Sequence, residues 1–206
     1  MILLISNNKI KSQKLEKVLV IQPQTPANHK SDFGKIFNEI SKIPLDTLGA
    51  YQLYFPESFV NLPNDTSQNT YKELVTFLNK NNLEYYYGAV YEGPDTYSNQ
   101  IFNSKQKPIY TKQKLVPDVE RNLFSFSTNN PNNSKNIAIC YESIYTNYFR
   151  EISDSTDLVK VFTNDVWFQN STAYSHHAML LKYRALENGV TILRIANSGL
   201  SGVFYP

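Results

Sequence analysis

The sequence holds a single cysteine, Cys140, so no intrachain disulfide can form and no cysteine-based zinc cluster can assemble. Histidine is nearly as scarce. His29, His176 and His177 lack metal-ligand spacing, and the adjacent pair points to different sides of a helix, so neither a metal nor another cofactor is expected. An excess of one charge is also missing: 20 Lys and Arg against 18 Asp and Glu give a formal net charge of +2, which creates no field that implies a nucleic-acid partner. Long hydrophobic runs are absent as well. Met1 to Ile5 is too short to span a bilayer, and it precedes the lysines instead of following them as a signal peptide requires. Residues 1–17 read as a linker or as the end of a membrane helix lying upstream.

What is present is enough for a folded core, since 41% of the 206 residues are hydrophobic and 14% aromatic. Val18 to Ile21 is a β-branched run closed by Gln22-Pro23, the pattern of a buried strand. Phe33, Ile36, Phe37 and Ile40 then recur at helical spacing. Strands are expected at Tyr51 to Phe55 and Tyr85 to Tyr91, with a helix over Tyr71 to Leu83 between them. Tyr97 to Ile109 reads as a hairpin and Ser127 to Lys135 as a surface loop. Beyond it come a strand at Ile137 to Cys140, a helix from Glu142 to Ile152 and a strand at Leu158 to Phe162. A helix over Ala178 to Asn188, ended by Gly189, and a strand at Val190 to Ile195 complete the series. Strands alternating with helices imply one α/β layered domain over 18–206.

Three charged or nucleophilic residues stand at strand ends, where an α/β sheet collects its chemistry. Cys140 lies where a strand runs into a helix, and the helix N-terminus is expected to favour the thiolate below the ordinary thiol pKa of about 8.5. Glu57, in Phe55-Pro56-Glu57-Ser58, and Lys112, before Leu115-Val116-Pro117, follow other strands. Each has a plainer reading, Cys140 as inert core and the two charges as solvated surface. Arg184, Glu187 and Arg194 read as structural ion pairs, and His177 as a satisfied core histidine.

The order and context of Glu57, Lys112 and Cys140 resemble the Glu-Lys-Cys triad of the nitrilase superfamily of carbon–nitrogen hydrolases. Within it the chain is most similar to apolipoprotein N-acyltransferases, through Pro56-Glu57-Ser58, Tyr110-Thr111-Lys112, Leu115-Val116-Pro117 with Glu120, Ile139-Cys140-Tyr141-Glu142-Ser143, Thr163 to Phe168, and Tyr183 to Gly189 with Arg194, Asn197 and Gly199. The likeness runs from Val18 to Val203. It implies an α-β-β-α layered sandwich, with Glu57 as general base, Lys112 as oxyanion stabiliser and Cys140 as nucleophile. It also implies that Glu120 and Glu142 support the site and that Tyr141 and Trp167 line it.

By the same resemblance the acyl donor is a membrane phospholipid and the acceptor the N-terminal amine of a lipoprotein. The place of action is the extracytoplasmic side of the bacterial inner membrane, reached through membrane segments outside this chain. A soluble amidase with the same triad and an inactive remnant are the rival readings. The family carries further strands after the Asn197-Ser198-Gly199 segment, so the domain is expected to be truncated at its C-terminus. Two departures from the family pattern stand out: Asp118-Val119 replaces Phe-Gly, and only His29 or Phe33 stands where a tryptophan is usual. Leu123, Phe124 and Phe126 are candidates for lipid contact.

Overall fold

The computed structural model describes residues 2–5, 17–26, 31–49, 51–62, 64–92, 97–117, 120, 134–168 and 171–206. The calls on His29, Asp118-Val119 and Leu123 to Phe126, and most of the expected loop before Lys135, lie outside them.

Alternation along the strands sorts the side chains between two faces, because successive residues of a strand point to opposite sides. The first sheet contains Ile2–Ile5 (β1) and Val18–Ile21 (β2). After two helices, Phe33–Ile40 (α1) and Leu45–Gly49 (α2), come Gln52–Tyr54 (β3) and Val60–Leu62 (β4). A third helix, Asn69–Lys80 (α3), leads to Tyr85–Glu92 (β5), Tyr97–Asn103 (β6) and Pro108–Thr111 (β7). The order across the sheet is β1-β2-β3-β5-β6-β7, with β4 also paired to β5. Leu19, Leu53, Tyr85 and Tyr87 face outward, where Phe33, Ile36 and Ile40 of α1 and Tyr71, Leu74 and Leu78 of α3 cover them. The α1 stripe starts cleanly because the Asp32 side chain accepts from the Lys35 N–H at 2.9 Å, an N-cap.

The second sheet has the order β11-β10-β9-β8. Its strands are Ile137–Ile139 (β8), Leu158–Thr163 (β9), Thr191–Ala196 (β10) and Gly202–Phe204 (β11), with helices Thr146–Ser153 (α4) and Ala173–Asn188 (α5) between them. Ala138, Val159, Val161 and Ile192 face α4 and α5, packing on Phe149, Ile152, Leu181 and Ala185. The opposite faces meet: Val18, Val20, Tyr54, Ile101 and Tyr110 of the first sheet pack on Ile137, Ile139, Phe162, Leu193 and Ile195 of the second. Each large side chain so buried contributes about 1.5–3 kcal/mol, and only the helix–sheet–sheet–helix order buries both faces of both sheets. This is the expected α-β-β-α sandwich.

Several elements differ from their expected form. Ile2–Ile5 is a strand, antiparallel to β2 with Ile5 opposite Val18. The open edge of β2 supplies backbone partners that the sequence run alone does not reveal. The helix expected from Glu142 to Ile152 is broken. Cys140–Ile144 forms a tight helical turn, Tyr145 is extended, and α4 begins only at Thr146. The carbonyls of Ser143 and Ile144 accept from the Arg184 guanidinium, so a side chain satisfies them. The helix α5 starts at Ala173, five residues before its expected start, because Tyr174, Ser175 and His176 are exposed and leave no apolar stripe to read. Gly189 ends it as expected, in the left-handed conformation at φ +63°.

Candidate active site

Cys140, Asn164 and Asn197 leave the C-terminal ends of the parallel neighbours β8, β9 and β10, and Glu57 follows β3 in the facing sheet. Strand ends thereby bring residues distant in sequence to one edge of the sandwich.

Glu57 occupies a tight turn, with Ser58 at φ +54°. The turn is pinned to β5: the Gly88 N–H donates to the Pro56 carbonyl at 3.1 Å, and the Phe59 N–H donates to the Gly88 carbonyl at 2.9 Å. A Cβ at position 88 would meet the Pro56 carbonyl oxygen at 2.5 Å and the Glu57 Cα at 2.6 Å, so only glycine permits this approach. The Glu57 carboxylate is buried but well partnered. Its Oε1 accepts from Asn99 Nδ2 at 2.7 Å and Lys112 Nζ at 3.1 Å, and its Oε2 from the Asn164 N–H at 2.8 Å.

Lys112 is 1% exposed, far from the solvated charge that its sequence context also allowed. Its ammonium also donates to Glu120 Oε1 at 2.8 Å, and Glu120 Oε2 accepts from the Val116 N–H at 2.7 Å, which fastens the following loop. Burial opposes the lysine charge, yet Glu57, Cys140 and Glu120 around it hold its pKa above the ordinary lysine value.

Cys140 adopts φ +48° at the end of β8, and its thiol couples electrostatically to both Glu57 and Lys112. The expected stabilisation of the thiolate by a helix N-terminus is not found. Burial, then the negative Glu57, push the thiol pKa up, and the pull of Lys112 in the other direction is smaller. The element after Cys140 is a five-residue turn with little macrodipole to offer. A thiol in this setting rests protonated and needs a base.

Glu142, two residues after Cys140, is fully buried. Its carboxylate accepts from the N–H groups of Ile139 at 2.7 Å and Lys114 at 3.1 Å, from the Gln113 N–H, and from the Tyr110 hydroxyl at 2.8 Å. It therefore ties the Cys140 turn to the loop that follows Lys112. Burial pushes its pKa up to about 7, against the lowering effect of these hydrogen bonds. Tyr141 is half-buried, edge-on to Tyr145 at 5.4 Å. Trp167, 63% exposed, stands with Glu57, Asn164, Asn197 and Thr25 around a cleft of about 210 Å³.

The seven residues singled out from the sequence thus fall into separate groups. Glu57, Lys112 and Glu120 are joined by ion pairs beside Cys140, Glu142 is buried separately with the Tyr110 hydroxyl and backbone N–H groups as partners, and Tyr141 and Trp167 lie nearer the surface. Sequence reading passed over Asn99 and the Asn164 N–H, both bonded to Glu57. The signal for Asn99 was the polar run Ser98-Asn99-Gln100 inside a strand, two members of which prove fully buried. Arg184 pairs with Glu187 as expected, but Arg194 pairs with Asp165. Donor atoms of Cys140, Asp165 and His177 lie within 4.8 Å of one another, close enough for a metal. Asp165, however, is already bound to Arg194, and both His177 ring nitrogens have protein partners.

The model of the carbon–nitrogen hydrolase family matches residues 18–205. The chain belongs to the carbon–nitrogen hydrolase family. Within it, the sequence is similar to the apolipoprotein N-acyltransferase of Rickettsia prowazekii, 38% identical over 68 residues, which are 33% of this chain and 14% of that protein. The apolipoprotein N-acyltransferase of Vibrio parahaemolyticus is 26% identical over 187 residues, covering 78% of this chain and 36% of that one. The chain thus spans only a minor part of the length of these relatives. Among solved structures, an amidase from Nesterenkonia sp. superposes with a TM-score of 0.56 at 18% identity, covering 90% of this chain and 81% of that one. This carbon–nitrogen hydrolase domain shares the fold of that amidase. No described helix is long and apolar enough to cross a membrane.

Proposed function

We propose that the domain transfers a fatty acyl group from a phospholipid, through a thioester on Cys140, to the N-terminal amine of a lipoprotein. The observation that carries this reading is the buried ion pair of Glu57 and Lys112 at 3.1 Å, coupled to the only cysteine. The name printed for the sequence relatives, apolipoprotein N-acyltransferase, supports acyl transfer to an apolipoprotein amine, and the phospholipid donor is what the motif resemblance implies. Action at the extracytoplasmic face of the bacterial inner membrane is what the motif resemblance implies.

Because the Cys140 thiol rests protonated, its proton must leave as the sulfur attacks. Glu57 takes that proton while Sγ bonds to the ester carbonyl carbon, and the carbonyl π electrons move to oxygen. The Lys112 ammonium, with the Tyr141 N–H, stabilises this oxyanion, an effect worth about 3–4 kcal/mol per donor in a dry site. Collapse expels the lysophospholipid alkoxide, which recovers the proton from Glu57. In the second half, the acceptor amine attacks the thioester carbon, Glu57 receives the amine proton, and the departing sulfur is reprotonated. Asn99 and the Asn164 N–H keep the Glu57 carboxylate aimed throughout.

The test is intact-mass spectrometry of the chain incubated with phospholipid in mixed micelles. An added acyl mass on Cys140, absent in Cys140→Ser and removed on addition of a lipopeptide amine, is the expected result. Removal by water at the same rate without amine favours the amidase-type hydrolysis reading. Undiminished adduct in Cys140→Ser overturns the assignment of the nucleophile.

A further inference from the structure

Beneath the nucleophile lies a second polar array that the reaction just described does not use. Cys140 at φ +48° has a backbone that a side-chain-bearing residue keeps only when its surroundings hold it there. The Ser143 hydroxyl donates to the Cys140 carbonyl at 2.8 Å. His177 Nε2 lies 2.9 Å from Ser143 Oγ and 3.3 Å from the same carbonyl oxygen. On the far side of the ring, Nδ1 lies 3.0 Å from Asp165 Oδ1, and Arg194 binds the other oxygen of that carboxylate. Burial disfavours the Asp165 charge, but His177 and Arg194 more than offset it and hold the carboxyl below its ordinary pKa. The Ser143 hydroxyl proton goes to the Cys140 carbonyl, so Nε2 must be the donor that faces Ser143 Oγ and that carbonyl, and the Asp165 contact on the other side of the ring fixes how the imidazole is turned.

The order Ser143, His177, Asp165 has the spacing of a hydrolase triad, but the hydroxyl cannot serve as a second nucleophile. Ser143 is 0% exposed, and no substrate can reach it. What the array does hold is backbone. Seven residues further along α5, Arg184 donates from Nε to the Ser143 carbonyl at 2.9 Å and from Nη2 to the Ile144 carbonyl at 2.8 Å. The carbonyls of Cys140, Ser143 and Ile144 are thus all drawn toward side chains of one helix. In a helical turn the N–H groups point opposite to the carbonyls, so this pull aims the N–H groups of the turn away from α5.

We propose that His177, oriented by Asp165, is a positioning residue that holds the Cys140 carbonyl, directly and through Ser143, and so keeps the strained turn in the conformation that presents the thiol to Glu57 and Lys112. The inference rests on reading Cys140 as the nucleophile. Without the clamp the peptide relaxes from positive φ, and the sulfur leaves its place. Misplacement of about 1 Å can cost as much as a hundredfold in rate.

The experiment is alkylation of Cys140 by iodoacetamide, followed by intact mass, at a temperature where circular dichroism shows every variant folded. His177→Leu is expected to slow alkylation by about tenfold or more. His177→Gln, whose amide can still reach the carbonyl, should recover part of the rate. Leu181→Ala, on the same helix but buried in the outer core with no tie to the turn, loses stability yet should react within about twofold of the native rate. Ser143→Ala removes the 2.8 Å hydrogen bond without touching the histidine, and should slow the reaction even if His177→Leu fails to fold. A native rate in both His177→Leu and Ser143→Ala, or equal slowing in Leu181→Ala, overturns the proposal. Iodoacetamide needs neither phospholipid nor amine. His177-dependent alkylation without any acyl adduct would therefore sink the acyl-transfer reading and leave the clamp standing.

Discussion

Glu57 Oε1 and Lys112 Nζ, 55 residues apart in sequence, lie 3.1 Å from each other with side chains 5% and 1% exposed. Neither charge could be buried without the other, since an isolated ion inside a protein loses several kcal/mol of hydration.

Removing the cation alone leaves two acids, Glu57 and Glu120, around an empty site. Lys112→Met is expected to destabilise the fold by about 3–5 kcal/mol in urea unfolding, and to abolish the acyl adduct. Lys112→Met combined with Glu57→Gln should recover much of the stability and none of the adduct. Equal stability of the single and double variants would show that the pair is not coupled.

Gly88→Ala tests the close passage of β5 behind Glu57. The new methyl meets backbone on both contacts, at 2.5 and 2.6 Å, so no side-chain rotation can relieve it. The expected cost is about 1–3 kcal/mol in unfolding free energy, together with loss of the adduct as the Glu57 turn is displaced. A variant of unchanged stability and adduct yield would contradict the described approach.

Glu142 links stability to pH in the direction opposite to most carboxylates. Burial raises its pKa from 4.5 to about 7 in the folded protein. Below 4.5 both states hold the proton, and between 4.5 and 7 only the folded state keeps it, so stability falls as pH rises through this window. The loss amounts to about 3 kcal/mol, from 1.36 kcal/mol per unit. Urea melts across this range should show the slope, and Glu142→Gln should flatten it. A stability that rises through the window in the native chain and is unaffected by Glu142→Gln would refute the assignment.

Much of the sandwich was legible in the chain itself. The run Val18 to Ile21 and the stripe Phe33, Ile36 and Ile40 carry their own periodicity, and each occurs where expected. Three-residue strands such as Val60–Leu62 and Gly202–Phe204 were not legible, because so short a strand exists only by virtue of the neighbour it pairs with. The turn Cys140–Ile144 was misread as the start of a continuous helix. Local sequence could not show that Arg184, 40 residues away, takes its carbonyls.

By itself the sequence determined the class of the fold, the one thiol available to it, and the motif-borne kinship of Glu57, Lys112 and Cys140, since composition, periodicity and short motifs are local properties of the chain. Only the tertiary structure decided the electrostatics. It buried Lys112 against two carboxylates, raised the Cys140 thiol that a helix terminus was expected to lower, and brought Asn99 and the Asn164 N–H onto Glu57. Desolvation and Coulomb energy depend on which distant groups come within a few ångströms, and that distance is set when the two sheets close on each other.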